Sequence, residues 1–184
     1  FSREEEEYLN TLSSFISLAN ENVLIQNRNL FIKDIVEEIS SIKDPRECIP
    51  DILQGLTDHT NIKACTFSTF TDNNKALLRY ELIYKDGYTE SSTHSAVEDL
   101  MTIPVHIKDK IEQEIQTIRI KGSSLELHRN ISRLKDLNQA VFFPVFNKGT
   151  LTGVITLYTA GNRELTSGEL KFASTIAGLA GICS

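Results

Sequence analysis

Apolar residues recur through the first forty or so positions at separations of three and four. Leu9, Leu12, Ile16, Ala19, Val23, Gln26 and Leu30 form one such series, with Gln26 as its single polar member. This is the heptad seam along which two helices pack lengthwise. Residues 1–54 hold no Gly and the first Pro is Pro45, so nothing before it interrupts a helix. A helix of about 40 residues is about 60 Å long, while a compact chain of this size has a radius of gyration of roughly 16 Å. Such a rod must protrude or find a partner. The seam therefore predicts a dimerising helix over residues 1–30. The alternative is an ordinary amphipathic helix lying on its own domain, because Phe15, Leu18 and Leu24 widen the stripe. Beyond Leu30, the residues Phe31, Ile35, Ile39 and Ile42 continue on a rotated face suited to packing on a domain.

From Asp44 onward the periodicity alternates between helix and strand. Asp44-Pro45 pairs a capping residue with Pro in the first turn, and Ile49, Ile52, Leu53 and Leu56 form a buried helical face. Residues 62–71 and 76–84 are β-branched and aromatic runs joined by Asp72-Asn73-Asn74-Lys75, the pattern of a hairpin. Asp86-Gly87 then opens a polar stretch that reads as a loop or lid, with a short helical piece around 96–101. Short strands are expected at 102–107 and 124–128, with a helix at 108–118 between them. Residues 140–146 and 151–158 flank Asn147-Lys148-Gly149-Thr150 as a second hairpin. The last helix, 165–183, has a broad apolar face of small residues.

Composition narrows the classes. The 184-residue chain is 40% hydrophobic and 24% charged with a net charge of −6, which describes a folded domain rather than disorder. The acidic balance argues against nucleic acid as a partner, and no apolar run approaches a membrane span, so direct membrane contact is not expected. Three cysteines, Cys48, Cys65 and Cys183, without CxxC spacing fit reduced core thiols in the cytoplasm. No nucleophile motif, phosphate loop or HExxH is present. His59, His94, His106 and His128 lack mutual ligand spacing, so neither metal nor catalysis is expected. One segment departs from the overall charge: residues 108–135 hold seven basic and four acidic side chains. If that segment faces a pocket, the ligand is anionic; otherwise it is a solvated basic face.

The stretch FFPVFNKGT, then LTGVITLY, then ELTSGELKFASTIAGLA resembles the C-terminal half of a GAF domain, and the element order resembles that family from about residue 30 to 182. The resemblance implies an α+β fold with a central antiparallel sheet of about six strands. The N- and C-terminal helices would pack on one face, and a lid of loops and short helices would cover a small-molecule pocket on the other. Phe1 to Leu12 also resembles the chain's own Leu165 to Ile176, and SLANENVLIQNRNL resembles the linkers that join tandem sensor modules. The implied organisation is a helix at 1–30, the end of a preceding GAF domain, followed by a GAF domain at 31–184.

The resemblance implies a non-catalytic regulatory module of a cytoplasmic signalling protein. It would form a homodimer, bind an unknown small molecule and feed an output domain of the same polypeptide. The alternative is a structural dimerisation spacer with a filled pocket. Bilin-binding members attach the pigment through a lid Cys, yet residues 66–182 contain none, which disfavours a covalent bilin. The Asn-Lys, Phe, Asp-Glu signature of cyclic-nucleotide binders has only Asn162-Arg163, Leu165 and Glu169 as counterparts, which puts that ligand in doubt. Haem through His94, His106 or His128 is disfavoured too. Alternation along the strands selects Phe67, Thr69, Tyr80 and Phe143 as pocket walls, with Arg119, His128 and Arg129 as contacts to an anionic ligand.

Overall fold

The structure, a computed structural model, describes residues 2–70, 75–85, 88–93, 100–102, 105–121, 127 and 130–183. Two compact units divide the chain, residues 1–34 and 35–184. Helix α1 (Arg3–Ser41) supplies the first unit and the opening residues of the second. Its start is a reciprocal capping box: Glu5 N–H donates to Ser2 Oγ (3.3 Å) and Ser2 N–H donates to Glu5 Oε2 (2.7 Å). Glu4, Glu5 and Glu6 occupy the positive end of the helix dipole. Every residue from Ser2 to Asn27 is exposed. Seam residues Leu9, Leu12, Ile16, Val23 and Leu30 range from 43% to 58% exposure. Among the described residues no helix is long and apolar enough to cross a membrane.

The second unit is built on an antiparallel sheet of seven strands among the described residues: β1 (Ala64–Phe70), β2 (Lys75–Lys85), β3 (Tyr88–Thr93), β4 (Leu100–Thr102), β5 (Gln116–Arg119), β6 (Leu137–Asn147) and β7 (Thr150–Ala160). The order is β3-β2-β1-β7-β6-β5, and β4 pairs with the start of β2. The central strands β1, β7 and β6 are apolar on successive positions because both faces of the sheet are covered.

Helices α2 (Ile49–His59) and α4 (Ser167–Cys183) cover one face. Ile49, Ile52, Leu53 and Leu56 are buried under α2, and Phe172, Ala173, Ile176, Ala177 and Ala180 under α4. Cys65 marks this side of β1, with Sγ 3.6 Å from the Leu53 carbonyl oxygen in α2. Gly181 lets α4 touch β6: a Cβ there would stand 2.1 Å from the Phe146 carbonyl oxygen. On the opposite face, Ala64, Ile83, Ala140, Phe142, Val154 and Tyr158 form a core with Ile111 of α3 (Val105–Gln113) and Ile131 of a short 3₁₀ turn (Ile131–Arg133).

Several elements depart from the sequence pattern. The polar stretch after Asp86-Gly87 contains strand β3, because an edge strand is held by backbone pairing and needs no apolar alternation. Leu100 and Met101 are extended against β2 rather than helical. Helix α3 starts at Val105 and ends at Gln113, and Ile118 leaves the helical register to pair with Ala140 in the sheet. Asp44 caps a 3₁₀ turn (Pro45–Cys48), so α2 itself begins at Ile49. The strand expected at 124–128 lies outside the described residues except Leu127. Lys148 (φ 49°) and Gly149 (φ 80°) join β6 to β7 with two left-handed residues, the hairpin turn expected there.

Candidate functional site

Residues paired across neighbouring strands share a face, so the register assigns every strand side chain. Thr66 pairs with Glu81 on one side and Thr156 on the other, and Glu81 pairs with Ser92. Ser92, Glu81, Thr66 and Thr156 thus form a polar row across four strands, on the face opposite α2 and α4. The last three are each no more than 2% exposed. The row lies beside the apolar core of that face. There the Tyr158 hydroxyl hydrogen-bonds with the side chains of Thr66 and Thr156, while burial pushes the phenol's pKa up.

Glu81 is the charged member. Asn130 Nδ2 donates to its Oε2 at 2.7 Å and Ser92 Oγ donates to the same oxygen at 3.3 Å. A neutral amide and a neutral hydroxyl, from segments 49 and 11 residues away, therefore fix the orientation of a buried carboxylate. Above it opens a cleft of about 570 Å³ lined by Glu81, Ile83, Glu90, Ser91, Ser92, Asn130, Arg133 and Leu134. Glu81 and Ile83 lie deep, Leu134 is half-buried, and Glu90 and Arg133 are exposed at the rim. The volume falls in the range of small-molecule sites.

The residues selected by alternation sit elsewhere. Phe67, Thr69, Tyr80 and Phe143 belong to the other face of the sheet: Phe67 pairs with Tyr80 and Ile155, and Ile155 with Phe143, on the face that carries the helices. Phe143 is fully buried there. Phe67, Thr69 and Tyr80 do line a second cleft, of about 590 Å³, together with the ion-paired Asp44 and Arg46, Arg79 and Cys183. In it Phe67 and Tyr80 stack with ring centroids 6.4 Å apart, and Arg79 Nε donates to Thr69 Oγ1 at 3.0 Å. Arg119 is exposed on edge strand β5, on the opposite side from Ile118. His94, His128 and Arg129 lie outside the described residues, as does the side chain of His106. A carboxylate inside the apolar run ALLRYELIY was the sequence signal for Glu81; Asn130 and Ser92 carried none.

The segment compared above with the cyclic-nucleotide signature is a helix cap. Glu169 accepts from Thr166 N–H (2.9 Å), Thr166 Oγ1 (3.1 Å), Asn61 N–H (3.2 Å) and Arg163 Nη2 (2.8 Å). Burial alone would raise its pKa. The two backbone N–H donors, the Thr166 hydroxyl and the Arg163 charge together outweigh burial and hold it below the usual carboxylate value. Thr166 and Glu169 repeat the Ser2 and Glu5 capping box, which gives the internal resemblance between the two helix starts a physical basis.

No protein-family model matches the sequence, and no curated protein matches it. Solved structures do. The GAF domain of an Acinetobacter phosphoenolpyruvate-protein phosphotransferase superimposes with a TM-score of 0.60 at 14% identity, covering 83% of this chain and 90% of that one. The GAF domain of a two-component sensor histidine kinase from Bacillus halodurans gives 0.50 at 14%, over 73% and 92%. A far-red absorbing dark state with bound biliverdin IXa gives 0.59 at 14%, over 83% and 96%. With its sheet order, its helix-covered face and these superpositions, the chain has the fold of a GAF domain.

Proposed function

We propose that this chain is a non-catalytic regulatory module of a cytoplasmic signalling protein. It takes up a small molecule in the Glu81 cleft and passes its occupancy through paired N-terminal helices to an output domain of the same polypeptide. The observation that carries the reading is the cleft itself: a buried, oriented carboxylate at the base of about 570 Å³. Its fold is shared with the GAF domain of a sensor histidine kinase. Buried, reduced thiols agree with a cytoplasmic setting.

The cleft draws its walls from β2, β3 and the 3₁₀ turn before β6. A ligand there ties the β2–β3 edge to a turn distant from it in sequence, and so has the means to favour one packing of the face over another. The output arm is the seam Leu9, Leu12, Ile16, Ala19, Val23, Gln26 and Leu30, covered by a second copy of the same helix. Covering five half-exposed apolar side chains on each of two helices is worth on the order of 10 kcal/mol. That is comparable with the cost of bringing two chains together, so pairing is poised rather than permanent.

Native mass spectrometry of the purified chain, compared with its denatured mass, tests the reading. The expected result is a dimer carrying a non-covalent small-molecule mass. A monomer without added mass overturns it, and a dimer without added mass favours a structural spacer instead.

A further inference from the structure

A β-bulge sets Arg79 where strand alternation would not. β1 and β2 pair Phe67 with Tyr80 and then Ser68 with Leu78, so Arg79 is the extra residue of β2. In a regular strand it would face away from its neighbour Tyr80. Instead its Nε donates to Thr69 Oγ1 at 3.0 Å, and the two line the cleft of about 590 Å³ on the helix-covered face together with Tyr80 and Phe67. The bond to Thr69 uses Nε and leaves the Nη1 and Nη2 end of the half-buried guanidinium fork, with which no carboxylate of the described residues pairs. Arg46, on the same cleft, is already closed: its Nε and Nη2 both donate to Asp44.

Beside the fork the wall is aromatic and apolar. Phe67 and Ile49 are 3% and 1% exposed and form a floor, and the half-buried Tyr80 ring lies 6.4 Å from that of Phe67 at an interplanar angle of 29°. A further ring can join this pair at the centroid spacing that aromatic pairs favour. The free end of the fork offers two parallel donors in one plane, which match the two oxygens of a single carboxylate. We propose that this cleft is a second binding site, for a small aromatic carboxylate: its carboxylate on Arg79 and its ring against Tyr80, over Phe67 and Ile49. Its walls come from the 3₁₀ turn Pro45–Cys48, the start of α2, the β1–β2 pair and Cys183 at the end of α4. A ligand there holds both ends of the domain to the sheet. The site is independent of the Glu81 cleft, which opens on the opposite face.

The test is titration calorimetry and thermal unfolding of the full chain with benzoate, phenylacetate and indoleacetate at millimolar concentration. Each is run beside its primary amide, which keeps the ring and removes the charge, and beside butyrate, which keeps the charge and removes the ring. At least one aromatic carboxylate is expected to bind and to raise the transition temperature, with its amide and butyrate weaker by about tenfold or more. Arg79→Gln removes the charge, and Arg79→Lys keeps it while removing the fork. Each is expected to weaken binding by about tenfold or more. Thr69→Val, which frees the guanidinium to turn, is expected to weaken it by about threefold. The urea midpoint of each variant shows that it is folded, and should Arg79→Gln fail to fold, Arg79→Lys decides. The proposal is overturned if none of the three carboxylates binds, if the amide binds as tightly as its acid, or if binding survives substitution of Arg79 in a folded variant.

Discussion

Glu169 shows how one side chain joins distant parts of the chain. Its carboxylate caps α4 through Thr166, reaches Asn61 beyond α2 and pairs with Arg163. Because its pKa is lowered in the folded state, its contribution is present above the unfolded value of about 4.5 and is lost as pH falls through the folded value. Glu169→Gln is expected to cost about 1–3 kcal/mol at neutral pH. Urea denaturation at neutral and acid pH checks this, with the gap between wild type and variant closing in acid. Lys148 is a second local test, since a lysine at positive φ carries strain that Asn tolerates better. Lys148→Asn is expected to stabilise the protein by about 0.5 kcal/mol, read as a shift in the urea midpoint. The turn at Lys148-Gly149 was legible from sequence because its cause is local. The environment of Glu81 was not, because its donors come from segments 49 and 11 residues away.

Elements that carry their own periodicity, α1, α2, α4 and the β6–β7 hairpin, could be read directly. Elements defined by a neighbour could not: β3 is polar and exists through its pairing with β2, and β5 exists through its pairing with β6. Which face each parity occupies was not legible for the same reason. Alternation shows that Phe67 and Thr66 face opposite ways, but only the Cys65 contact with α2 shows which way is which. The seating of α4 on β6 is equally specific. A Cβ at Gly181 meets the Phe146 carbonyl oxygen at 2.1 Å, whereas one at Gly178 meets nothing within 4 Å. Gly181→Ala is therefore expected to destabilise by about 3 kcal/mol through forced displacement of the helix. Gly178→Ala on the same helix should stabilise by about 0.5–1 kcal/mol through helix propensity. Chemical denaturation of the pair separates contact from propensity, since propensity alone moves both in the same direction.

For the whole molecule, the strand order β3-β2-β1-β7-β6-β5 sets β1 beside β7 and so closes the sheet across most of its length in sequence. No spacing in the chain announces that pairing, and the resemblance in the last third implied an antiparallel sheet without its order. The apolar series Leu9 to Leu30 of α1 is exposed in the single chain, and the second copy proposed above would cover it. Gln26 interrupts that seam, so Gln26→Leu is expected to tighten self-association by about tenfold, measured by sedimentation equilibrium. An unchanged association constant would count against the seam. The three buried cysteines give the intact domain a built-in clock. Cys65 lies between the central strands and α2, with its thiol pushed up to about 12 by burial. It is shielded and protonated in the native state and ionises far more readily once unfolded. Its rate of alkylation therefore counts openings of the core rather than encounters with reagent, and a ligand that holds the fold together slows that count without touching the sulfur.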